Sequence, residues 1–150
     1  MALKDQVTEK LKAAMKEKNE ARLDALRSLR AEILDFEKSG ANRDMTPDEE
    51  IKIVNRLVKK RREGIEQYET AGRTEQAESE RKQLETLQEF LPKQLSEEEI
   101  EKEIRRLASD VGAEGKKDFG KLMPAAMKAL KGKADGAVVK RVVERVLGES

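Results

Sequence analysis

"FLPKQLSEEEI", residues 90–100, closes one helix and opens another. Pro92 lacks a backbone N–H and disfavours helical geometry in Leu91 before it, so the helix arriving here stops. Ser96 then offers a hydroxyl cap, and Glu99, three residues on, reaches back to the cap's own N–H; this reciprocal pairing starts a helix. The stretch divides the chain, and the expected domains are residues 1–92 and 93–150.

Working back from the boundary, Thr46-Pro47-Asp48-Glu49 repeats the start signal, with proline at the first helical position. Ile51, Val54, Leu57, Val58, Ile65 and Tyr68 continue at helical spacing until Ala71-Gly72 breaks the run, and Ala77, Leu84, Leu87 and Leu91 follow. The pair reads as a long helical hairpin. Ahead of it, Leu3, Val7, Leu11, Ala14 and Met15 form one stripe and Leu23, Leu26, Ile33 and Leu34 another, separated by Lys18-Asn19-Glu20 and closed near Gly40.

Beyond the boundary, Ile100, Ile104, Leu107, Ala108 and Val111 predict a helix ending at Gly112. Asp118 is the expected cap of the next, which carries Phe119, Leu122, Met123, Ala126, Met127 and Leu130 and is kinked by Pro124. Asp135 opens the last, burying Val138, Val139, Val142, Val143, Val146 and Leu147. The fold class is all-α: N-terminal helices including the hairpin, then a small three-helix C-terminal tail domain. Methionines and aromatics at these spacings are assigned to the core.

Composition agrees with long solvated helices: 42% of residues are charged and 3% aromatic. Charge recurs every two or three residues from Met1 to Asn19, and no long apolar run exists, so neither a signal peptide nor a membrane span is expected and the cytoplasm is the default location. The formal net charge is only +1, yet residues 116–145 hold nine basic and three acidic groups, a local excess of +6. Attraction for a polyanion must come from this clustering rather than from bulk charge.

Catalytic parts are scarce. The chain has neither histidine nor cysteine, removing the commonest general base, the thiol nucleophile and the commonest metal ligands. Ser96 and Thr46 read as caps. The acidic runs at Glu97-Glu98-Glu99 and Asp48-Glu49-Glu50 fit the positive end of a helix dipole, and neither has the spacing of a calcium loop. No catalytic residue, metal or cofactor is assigned. In Gly132-Lys133-Ala134-Asp135-Gly136 the glycines stand too close together for a nucleotide loop and no Lys-Ser/Thr pair follows. Lys121, Lys128, Lys131, Lys133, Lys140 and Arg141 lie outside the apolar stripes and form the candidate RNA-binding set. With aromatics on apolar stripes, a folded RNA recognised by shape and phosphate suits them better than a single strand stacked on rings. Lys59-Lys60-Arg61-Arg62 points around its helix and makes a weak patch.

"RREGIEQYETAGR", "FLPKQLSEEEI" and "KDFGKLMPAAMKALKGKADGAVVKRVV" together resemble the GatB/YqeY family over nearly the whole chain. The resemblance implies a C-terminal domain similar to the tail of the GatB component of aspartyl/glutamyl-tRNA amidotransferase, a tail that contacts tRNA. It links the chain to carbon–nitrogen ligases with glutamine as amide donor through that accessory domain only; the serine amidase and the aminoacyl-activating body have no match here. Gly120, Lys131, Gly132, Lys133, Ala134, Asp135 and Val139 match the shared tail motif, and Pro124 departs from it. The resulting expectation is a noncatalytic tRNA-binding or amidotransferase-associated protein. Its alternative is an adaptor docking a protein partner, such as an amidotransferase or aminoacyl-tRNA component, through the N-terminal hairpin.

Overall fold

Two separate sets of apolar side chains organise the chain into two compact units, residues 1–91 and 92–150. The computed structural model describes residues 2–148, and every element among them is helical: α1 (Leu3–Glu17), α2 (Glu20–Lys38), α3 (Pro47–Thr70), α4 (Thr74–Gln88), α5 (Glu97–Val111), α6 (Phe119–Ala129), α7 (Gly136–Gly148) and a 3-10 turn at Lys116–Asp118.

In the first unit α3 and α4 form the hairpin, and α2 packs on both and on α1. Thr46 and Glu49 make the reciprocal cap, with Glu49 N–H to Thr46 Oγ1 at 3.2 Å and Thr46 N–H to Glu49 Oε1 at 2.9 Å. The α1 start has no side-chain cap of its own. Glu50 of α3 takes that role by accepting the Leu3 N–H at 2.7 Å, which satisfies an orphan amide and ties the two helices together. Lys18 takes the left-handed conformation at φ 54°, letting Asn19 cap α2 through the Arg22 N–H.

Leu26, Leu29, Val54, Val58 and Leu87 are fully buried in this core, each worth about 1.5–3 kcal/mol of burial. Two expected core residues are outside: Met15 is 60% exposed and Leu34 37%. Each directly follows a buried residue, Ala14 or Ile33, and a step of one residue turns a side chain about 100° round the helix.

Glu89, just past α4, collects both oxygens of its carboxylate on Arg22 and one on Lys10 at 2.8 Å. These hydrogen bonds, Arg22's above all, pull its pKa from 4.5 down to about 2. A carboxylate depressed by folding stabilises fully above its unfolded pKa, and that stabilisation is lost as pH falls toward the folded value. The urea midpoint should therefore drop between about pH 5 and about pH 2, and Glu89→Gln should flatten the drop. An unchanged acid limb in the variant would assign the loss to other carboxylates.

The second unit is a three-helix arrangement in which α5, α6 and α7 each contact the other two. Ile104, Leu122, Ala126, Val142 and Val143 are at its centre. Ser96 and Glu99 cap α5 reciprocally, at 3.2 and 3.0 Å, and Gly112 closes it at φ +70°. Asp118 does not cap α6 with its side chain, contrary to expectation. The Lys116–Asp118 turn places its carboxylate on the Glu114 N–H instead, at 2.8 Å. α6 runs through Pro124 without ending.

Candidate nucleic-acid interface

Gly132-Lys133-Ala134-Asp135 joins α6 to α7 and is pinned from both directions. Gly132 adopts φ +77°, a region open to glycine at little steric cost, and it is buried. Gln94 Nε2 donates to the Gly132 carbonyl at 2.7 Å and to the Pro92 carbonyl at 2.9 Å. The Leu95 N–H donates to the Lys133 carbonyl at 2.9 Å, and the Lys133 N–H to the Leu130 carbonyl at 2.9 Å. Ala134 packs against the core, and Asp135 accepts the Ala137 N–H on its carboxylate at 2.9 Å. The start of α7 is thus served by its own aspartate, and the N–H of buried Val139 donates to the Asp135 carbonyl one turn later. This turn fixes where Lys131 and Lys133 emerge; both side chains are exposed.

Arginines and lysines divide their work in this unit. All four arginines are ion-paired: Arg105 with Glu101, Arg106 with Glu103 and Asp110, Arg141 with Glu97 at 3.2 Å, Arg145 with Glu97 at 3.2 Å and Glu101 at 3.1 Å. The Arg141 and Arg145 guanidiniums hold the Glu97 carboxyl below the usual carboxylate range. Planar guanidinium forks suit such shared carboxylates and bind α7 to α5. Among the described residues, Lys121, Lys128, Lys131, Lys133 and Lys140 are exposed and carry no ion pair.

The structure brings some of the candidate residues together and separates others. Lys121 and Lys128, seven residues apart, share one flank of α6. Lys140 and Arg141 diverge by about 100° round α7. Arg141 faces α5, whereas Lys140 is one turn from Gly136, where an added Cβ would meet Met127 of α6 at 3.3 Å. Lys133 is on the α5 side, close enough to lower the Glu103 pKa further after the larger effect of Arg106. Met127, expected in the core, is 44% exposed, because the buried row is Leu122, Ala126 and Leu130 and Met127 is one residue off it.

Two contributors are silent in the sequence. Gln94 stands there only as part of the boundary, and its partner lies 38 residues away. Glu97 stands there only as a helix-start acid, yet it neutralises Arg141. No three carboxylates gather as a metal would require among the described residues, and no described helix is long and apolar enough to cross a membrane.

An all-helical protein ending in a three-helix unit studded with unpaired lysines is the class this fold and surface define. The chain belongs to the YqeY-like family: the family model described as Yqey-like protein matches residues 4–147. A curated relative, altered inheritance of mitochondria protein 41, mitochondrial, from Pyrenophora tritici-repentis (strain Pt-1C-BFP), is 31% identical over 143 residues, covering 92% of this chain and 77% of the relative.

Proposed function

We propose that this protein is a noncatalytic tRNA-binding accessory protein, acting alongside glutamine-dependent tRNA amidotransfer. The supporting observation is the division of charge in residues 92–148: arginines are consumed by internal carboxylates, while Lys121, Lys128, Lys131, Lys133 and Lys140 are left for an external anion. Ammonium groups on flexible stems are point charges suited to phosphates, and a folded RNA supplies phosphates at varied angles. A tRNA-containing aqueous compartment, the cytoplasm in the first instance, is where such a protein works; the fungal relative's name places that protein in mitochondria.

Titration of labelled tRNA should show binding at low salt that weakens steeply as salt rises, with a log–log slope of about −4 to −5 for five phosphates neutralised. The triple variant K121E/K128E/K131E should weaken low-salt binding by about tenfold or more. R141E should weaken it less, because that guanidinium already serves Glu97. Failure of the intact chain to bind tRNA at low salt, or triple-variant binding equal to wild type, rejects the reading.

A further inference from the structure

α6 is the one described helix without an aspartate or glutamate. Its outer face carries Gly120, Pro124 and Met127, at the i, i+4, i+7 spacing that keeps residues on one side. Gly120 and Pro124 are exposed, and Met127 is 44% exposed, the only large hydrophobic side chain so placed among the described residues of this unit. Lys121 and Lys128 border this strip on one flank. On the other, Met127 leans over Gly136, and Lys140 follows one turn along α7. Lys131 comes just beyond the end of α6. The result is a narrow uncharged centre with a rim of four unpaired lysines.

Gly120 lacks an internal packing reason. A Cβ built there meets nothing within 4 Å, so neighbouring helices do not require glycine at 120. Gly120 is in the first turn of α6 and is not among the glycines with positive φ, so its backbone conformation does not require glycine either. What its missing side chain provides is an outward-facing backbone that another molecule can approach closely.

We propose, resting on the RNA-binding reading above, that this strip seats in the shallow minor groove of double-helical RNA. Gly120, Pro124 and Met127 lie against ribose edges and 2′-hydroxyls, and the lysine rim reaches the two phosphate lines. The wide, shallow minor groove of A-form RNA admits such a surface, whereas sequence-blind contact by phosphate alone needs no uncharged centre. A single strand would call for exposed rings, and Phe119, the one aromatic in this unit, packs against the core. A lipid surface would call for a broad apolar face, which one methionine does not make.

The test uses the intact chain with a labelled RNA hairpin and a DNA hairpin of the same sequence. Gly120→Leu should lower RNA-hairpin affinity by about tenfold with helix content unchanged, and wild type should prefer RNA to DNA. A proline within a helix crowds the carbonyl four residues before it, here that of residue 120, so a bulky residue there has a second way of acting. The comparison is therefore repeated as G120L/P124A against P124A, where that clash is absent, and the same loss is expected. Equal affinity of G120L/P124A and P124A overturns the proposal, as does equal affinity of wild type for RNA and DNA. If these fail while K121E/K128E/K131E still weakens tRNA binding by about tenfold or more, the phosphate-binding reading survives and only the groove assignment falls.

Discussion

Leu122→Ala should leave residues 92–150 unfolded in a large share of molecules while the first unit keeps its structure. Leu122 is fully buried at the centre of α5, α6 and α7. Its truncation removes about 2–5 kcal/mol through lost transfer energy and the cavity left behind. A single core of this size, below about 70 residues, supplies only about 3–5 kcal/mol in all. The loss is therefore comparable to the whole stability of the unit. Tyr68, the only tyrosine in a chain without tryptophan, reports α3 in the first unit alone. Its fluorescence transition in urea should be unaltered, while hydrogen exchange across α5–α7 loses protection. Met127→Ala, one turn further and exposed, should leave that protection in place and serves as the control. A Leu122→Ala chain with native protection in α7 would show that the second core is much larger in energy than its size allows.

Such a dependence explains which features are legible in the sequence. Helix starts at Thr46 and Ser96 are written within three residues, because the cap and its returning glutamate are local partners. The all-helical class follows from periodicity over many turns, and the apolar stripe of α7 is read directly from its valines. Asp118 misleads because an acceptor before an apolar run suits a 3-10 turn as well as a cap, and the Glu114 amide decides between them. Met15 and Met127 are expected inside because composition names an apolar residue but not which of two adjacent rows faces inward. The pairing of Glu97 with Arg141 spans 44 positions, so neither residue alone announces it. Among equal-looking cations near the C-terminus, only packing shows which are already taken.

Arg61 is the extreme case of a cation taken up by packing, and its removal should cost the first unit as much as truncating one of its buried leucines. In sequence it stands in the run Lys59-Lys60-Arg61-Arg62, indistinguishable from its neighbours. In the fold it is only 9% exposed, in α3 against α2 and α4. Its Nε donates to Gln83 Oε1 at 3.0 Å, an Nη donates to Ser28 Oγ at 2.9 Å, and Glu80 lies 3.5 Å from Nε. Every buried side-chain nitrogen and oxygen among the described residues has a partner, so this network is complete. Arg61→Ala leaves Gln83 and Glu80 without their donor and opens a void, at a cost of about 3–5 kcal/mol. A buried polar cluster replaced as a whole by apolar groups of similar volume is far less damaging. R61M/E80M/Q83L, which removes the carboxylate together with its partners, should therefore lie within about 1–2 kcal/mol of wild type, although it differs at three positions rather than one. Urea unfolding followed at Tyr68 measures both. An Arg61→Ala loss below about 1 kcal/mol would mean that water takes over the guanidinium's hydrogen bonds and that α2 is not tied to the hairpin through this residue.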